Sequence, residues 1–561
     1  TLVLDAGTRF DLNNLGTTWG GLAGSGDVFS SLGTPTLNVG FNNADTTFAG
    51  RFMRFNDAAY GLINKIGSGK LTLTADQPST GSFGAISVSG GTLAYAGAGQ
   101  AFESTLSARS VFNVNTGGVL LLDNLGANLS HRLGAVAGGQ VNLQGGLLAL
   151  GGSAAGATEE GVALLAVQNG GGRIELTPDS VNTLALNIGT FAFANVSLSA
   201  TTVNASANVT VASTAGLVPG MLVSGPGINA GTTIAAITDG TNLVLSANAT
   251  AAGSITMTAV QTSGSLVIAG LGGQASALIS NPNFTANQGA GLNGTTAMSV
   301  RGDILVDASA SGLGSGFLTL DSLTSRVRAL DLLTETTVLA NTTIGGIFNA
   351  RLTVDTLLTA PTTVNTLTTS GDVTVSSGLA ASVFGKYGPS GDLLSLTLAN
   401  AAGLLVKDGT MNFDMGTLVG PAAGPATFHV MPGATLRVNA SLIPATGGGF
   451  VLDNGGTMEL LATTGFTTGN IVINSGTLRL NSGADNTLAI SATAGAMGLP
   501  LVALNGPSAV LDIGARNQTV RGLSSSNPLP GMGGTVTGLA GAVFTTTDNS
   551  TFGGRLTGGL S

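Results

Sequence analysis

One short phrase recurs along this chain and limits what it can fold into: a glycine, then alternating apolar positions centred on leucine. It reads Gly69-Lys70-Leu71-Thr72-Leu73, Gly91-Thr92-Leu93-Ala94-Tyr95, Gly118-Val119-Leu120-Leu121-Leu122, Gly146-Leu147-Leu148-Ala149-Leu150 and Gly172-Arg173-Ile174-Glu175-Leu176. A second run holds Gly433-Ala434-Thr435-Leu436-Arg437-Val438, Gly456-Thr457-Met458-Glu459-Leu460 and Gly476-Thr477-Leu478-Arg479-Leu480. The glycines fall 22, 27, 28 and 26 residues apart in the first run and 23 and 20 apart in the second. A turn glycine followed by a short strand of period two, returning at that interval, fits one circuit of a parallel β-solenoid. Successive circuits stack about 4.8 Å apart. Inward Leu, Val and Ile then form a continuous core, and outward Thr, Ser, Asn and Arg meet water. About twenty such circuits give a rod on the order of 100 Å, the shape expected of one uninterrupted solenoid.

Composition supports this reading. Only 8% of the 561 residues are charged, as stacking in near register requires, because like charges directly opposite repel. The 88 glycines suit corners, where backbone angles disfavour a Cβ. With 43% hydrophobic residues the chain is not disordered by composition, and 16 prolines without a Gly-x-y period exclude collagen. Scarce Glu, Lys and Arg argue against a long helical bundle. The 19 basic residues against 28 acidic ones give a net charge of −9, which leaves no electrostatic footprint for nucleic acid. The absence of cysteine removes disulfides, thiolate metal sites and cysteine nucleophiles. The opening TLVLDAGTRF has neither a basic start nor an apolar run, so no signal peptide is expected and the chain reads as a mature or partial product. No 18-residue stretch is apolar enough to span a bilayer as a helix.

Residues 180–300 carry a single charge, Asp239. Inside this block, Val209–Met221, Gly225-Pro226-Gly227-Ile228, Gly231-Thr232-Thr233-Ile234 and Leu243-Val244-Leu245 place short strands between Pro/Gly turns. That pattern predicts a small antiparallel β module inserted at 200–259, between solenoid segments 1–199 and 260–561. The ends also echo each other. Thr47-Phe48-Ala49-Gly50-Arg51-Phe52 matches Thr551-Phe552-Gly553-Gly554-Arg555-Leu556 at an offset of 504, and Leu4-Asp5 matches Leu511-Asp512 at an offset of 507. The chain therefore stops in mid-motif without a polar cap, which solenoids need to be soluble alone. Phe48, Phe52, Phe552 and Leu556 are the expected contacts of head-to-tail assembly with another copy, or of tandem units in a longer chain. Phe48 and Phe52, with Phe55 and Phe83, also fit an aromatic ladder in the core.

No catalytic constellation emerges. Asp5, Asp123, Asp453 and Asp512 each sit beside Asn or Gly in a Leu-Asp phrase, where a carboxylate ordinarily caps a turn. His131 and His429 lack the neighbours of a metal or catalytic site. Glu159-Glu160 reads as a solvated loop pair. Gly24-Ser25-Gly26-Asp27 matches a calcium-binding nonapeptide only once, and Gly67-Ser68-Gly69-Lys70 is a strand-entry turn rather than a phosphate loop. No catalytic, metal-binding or cofactor-binding residue is predicted, and no enzyme.

Three segments resemble the repeat of autotransporter passenger domains: Asn470-Ile471-Val472-Ile473-Asn474-Ser475-Gly476-Thr477-Leu478-Arg479-Leu480, Leu511–Leu523 and Gly61–Leu73. The likeness runs over roughly residues 1–180 and 400–561. It implies an all-β chain folded as a right-handed parallel β-helix and exported to the bacterial cell surface. Nothing after Phe544 reads as that family's membrane barrel. The expected function is an extracellular structural protein forming a surface fibre by end-to-end stacking of units. The alternative is an adhesin gripping a glycan or host protein through the insert and loops.

Overall fold

The computed structural model describes all residues except 34, 55–61, 78–84, 102–110, 135–138, 169, 194, 213, 215–216, 218–221, 230–231, 233, 239–240, 246, 261–264, 271–276, 281–293, 308–315, 322–323, 325, 340–346, 378–394, 400–402, 421–424, 444–448, 463–469, 489–498, 528 and 548–549. Phe55 and Phe83 lie outside the described residues. The chain is all-β: among the described residues 55% are in strands and none is in a helix.

The chain visits three sheets in rotation. Leu2–Leu4, Arg9–Asp11 and Thr17–Trp19 are followed by Leu22–Gly24, Asp27–Ser30 and Thr36–Val39, each parallel to its predecessor in the same sheet. Every recurrent phrase of the first run enters one sheet at the same register. Leu71, Leu93, Leu120, Leu148, Ile174 and Ile268 stand directly above one another, all at most 2% exposed. The phrases of the second run form an equivalent column in a different sheet: Met411, Leu436, Met458, Leu478, Leu511 and Val536. Each such side chain contributes about 1.5–3 kcal/mol by burial. The columns build two separate apolar cores, one per run.

The glycine before each column has a steric reason. Gly476 has φ +94°, and a Cβ there would strike the carbonyl oxygen of Gly456 in the preceding circuit. The echo between the ends is likewise structural. Cβ atoms added at Gly50 and Gly554 would meet the same things: the ring of the phenylalanine two residues earlier, Phe48 or Phe552, and a glycine carbonyl of the preceding circuit, Gly26 or Gly534.

Residues between Asn195 and Val260 form a six-stranded antiparallel sheet with its own core of Val209, Val223, Ile234, Leu243 and Met257. The first stack continues across it, because Leu266–Ala269 pairs with Gly172–Thr177.

The rod expected from the repeat spacing is not a single stack. After Arg301–Asp307 the chain turns through two antiparallel strands, Gly316–Leu320 and Val327–Ala329. A second parallel stack then starts at Thr337–Val338 and ends at Arg555–Gly558. It runs back along the first. His429 and Gly403 meet Gly302, Asp453 and Asn474 meet Ser265, and Asn505 and Met532 meet Thr116 and Gly117. Later residues of one stack thus face earlier residues of the other. The reversal needs antiparallel pairing, which the parallel repeat cannot supply.

Candidate functional site

The seam between the stacks joins corners to corners. Thr116 Oγ1 donates to the Asn505 carbonyl at 2.8 Å, and Gln144 Nε2 to that of Ser526 at 3.3 Å. Asn474 Nδ2 donates to Ser265 Oγ at 3.1 Å, and the Ser265 hydroxyl donates to Asp453 Oδ2. Asp453 Oδ1 takes the Asn454 amide at 2.7 Å and Ser475 Oγ at 2.5 Å. Asn505 Nδ2 reaches Asn474 Oδ1 at 2.9 Å. At the far end, fully buried His429 places Nδ1 2.7 Å from Asn454 Oδ1 and donates from Nε2 to the Gly302 carbonyl at 3.0 Å, its ring edge-on to Phe317.

Beside these contacts lies a cavity of about 540 Å³ lined by Val119, Leu147, Arg173, Pro432, Asn454 and Pro507 among others. Its polar walls are spent on each other, so the seam is built as a joint. Among the described residues no group of three His, Cys, Asp or Glu side chains is placed to hold a metal ion.

The acids singled out by sequence are dispersed. Asp123 accepts the Leu125 amide at 3.0 Å and Asp512 the Gly514 amide at 3.0 Å, both turn caps, and Asp512 also pairs with Arg479 at 3.1 Å. Asp5 lies at an exposed turn, where its carbonyl accepts from Thr8. Of these four acids, Asp453 is the one that clips the two stacks together, through Ser265. Asp27 takes the Arg51 amide and faces Arg9 at 3.7 Å, bracing a turn. His131 occupies a turn at φ 60°.

The pair Glu159-Glu160 is not uniformly solvated. The strand Thr158–Val167 turns Glu160 inward, where its carboxylate accepts the amides of Arg132 at 2.7 Å, Leu133 at 3.2 Å and Gly161 at 3.1 Å. Burial pushes this carboxyl up to about 7, opposed by those amides and the Arg132 charge. Arg132 is itself fully buried, with its guanidinium spent on Asn124 Oδ1 and the carbonyls of Gly97, Gly99 and Ala127. Lys65, also unmarked in the sequence, points inward in strand Leu62–Lys65 and donates to the carbonyls of Ile66, Gly67 and Gly90 at 2.8, 3.1 and 3.1 Å. Burial lowers its ammonium to about 8.

The four residues expected to join units separate into two pairs. Phe48 and Phe52 lie inside the first stack, their rings 5.2 Å apart and covered by neighbouring circuits, so they are core residues and not end contacts. Phe552 is half-buried against the second core, and Leu556 is 62% exposed on the outermost strand of its sheet. Other outermost strands at this pole include Leu2–Leu4, Arg9–Asp11 and Thr17–Trp19, where Phe10 packs edge-on against Trp19 at 5.2 Å. Exposed Val3, Leu15 and Phe41 accompany them, with Leu539 and Val543 beside Leu556. This pole, where the first and last strands present exposed apolar side chains, is the candidate site.

No protein-family model, curated protein or solved structure matches the chain.

Proposed function

We propose that the chain is an extracellular structural protein of a bacterial surface, a right-handed parallel β-helix of the autotransporter-passenger type that joins other copies through its outermost strands. One observation carries the reading. The described circuits join one another through parallel strands and a continuous apolar column, the same backbone hydrogen bonding and apolar burial by which a strand of another copy would pair. The dispersal of acids and histidines into caps and a joint supports a scaffold rather than a catalyst.

An adhesin is the second reading. The antiparallel module favours it, being a separately cored unit that the stacks carry between successive circuits. Negative-stain electron microscopy of the purified protein tests the first reading: assemblies larger than one folded-back unit are expected, and isolated single units at high concentration would contradict it.

A further inference from the structure

We propose that the cavity beside the seam binds a medium-chain fatty acid, with its carboxylate on Arg173 and its alkyl chain along Leu147 and Val119. This binding is separate from the joining of copies and does not depend on it.

The floor of the cavity belongs to one outward column of the first stack. Lys70, Thr92, Val119, Leu147, Arg173 and Val267 stand in register on successive circuits, each one residue before the core column that starts at Leu71. Outward positions of a solenoid meet water, and the matching column of the second stack is built for it: Thr410, Thr435, Thr457, Thr477, Val510 and Thr535. Val119 and Leu147 thus set two neighbouring apolar side chains where threonine prevails elsewhere. Both are partly exposed, with corners of the second stack standing opposite. Val267, at the inner end of the column, is packed into the core of the second stack.

The walls decide the chemistry of the occupant. The polar side chains of the seam already bond one another, and Pro432 and Pro507, exposed on the corners opposite, have no N–H to donate. A peptide or a sugar laid here would strip water from its polar groups and find few partners in return. An alkyl chain has no such groups. Arg173 is the one cation among the described residues that line the cavity. Its side chain is 34% exposed, and its Nε meets Glu175 at 3.5 Å. Among the described residues its two terminal nitrogens have no acceptor, and a carboxylate matches that fork. Asp453, the acid in the wall, is already engaged by Ser265, Ser475 and the Asn454 amide. From Arg173 to Val119 is a span of two circuits, about 10 Å, which suits a medium-length chain. The volume of about 540 Å³ lies within the roughly 300–1,000 Å³ of small-molecule sites.

The test titrates the 561-residue chain with decanoate, below its micelle concentration, by isothermal titration calorimetry. One site per chain is expected. Arg173→Gln, at a partly exposed position, should weaken binding roughly ten- to a hundredfold with the circular dichroism unchanged. Arg479→Gln removes the same charge from the outer face of the second stack and should leave binding as it was. Leu147→Thr restores the residue that the matching column carries and should weaken binding several-fold. Octanoate, two methylenes shorter, should bind up to about tenfold more weakly. Absence of binding, several equivalent sites per chain, or an affinity indifferent to both Arg173→Gln and Leu147→Thr overturns the proposal. Decanoate left inert while an acidic, valine-rich peptide binds in an Arg173-dependent way would give the cavity to a polypeptide and overturn it as well.

Discussion

If the two stacks are clipped together as described, Ser265 and Asp453 must be energetically coupled although 188 residues separate them. Ser265 is fully buried, donates to the Asp453 carboxylate and accepts from Asn474 Nδ2 at 3.1 Å. Removing the hydroxyl with Ser265→Ala deletes a bond to a charged acceptor and strands the Asn474 amide, a cost of about 2–3 kcal/mol. Asp453→Ala removes three accepted bonds, two of them within its own stack from Asn454 and Ser475, and costs about 3 kcal/mol or more. The two losses share one hydrogen bond. The double variant should therefore be less destabilised than the sum by about 1.5–3 kcal/mol. Denaturant unfolding of the four proteins, followed by circular dichroism, gives the coupling directly. In a single unbroken rod the two residues are many circuits apart, and distant sites add within about 0.5 kcal/mol. A coupling that small would refute the seam.

Three further outcomes follow from particular side chains. Leu478, fully buried between Met458 and Leu511, should cost about 3–5 kcal/mol as Leu478→Ala in the same denaturation assay, whereas exposed Leu539 should cost well under about 1 kcal/mol. Glu160 has its folded carboxyl raised from 4.5 to about 7, so its contribution is fully present below pH 4.5 and is lost as pH rises through about 7. The protein should lose about 3 kcal/mol over that window, and Glu160→Gln should remove this share of the slope. Gly476→Ala should destabilise by more than about 1 kcal/mol in thermal unfolding, since it forces φ +94° on alanine and sets a methyl against the Gly456 carbonyl.

The parts legible in the sequence are those that repeat. The Gly-x-Leu phrases mark the buried columns because a turn glycine and a period-two strand are local requirements, met again in every circuit. Even the gap between the two runs has a structural meaning, since the runs belong to different sheets of different stacks. The end echo reports a shared local geometry, the Phe48/Gly50 and Phe552/Gly554 stacking. The fold-back was not legible, because Thr116, Ser265, Asn474 and Asn505 are the residue types any solenoid corner carries, and only the register of distant circuits makes them partners. Lys65 and Glu160 escaped for a related reason. Their inward orientation depends on strand parity, and their satisfaction on backbone groups of other circuits. Phe48 and Phe52 fitted a core ladder better than an end contact by sequence, and the circuits lying over them place them in the core.

The fold-back itself is tested most directly by a disulfide. A Cβ at Gly117 would lie 3.5 Å from Met532 Sδ, and the chain contains no cysteine. Gly117→Cys with Met532→Cys should oxidise within a single copy, giving a faster-migrating, non-reduced species of unchanged mass that neither single variant forms. In one unbroken rod the two thiols would stand more than ten circuits apart, upwards of about 50 Å. Free thiols, or cross-links only between copies, would contradict the folded-back stacks.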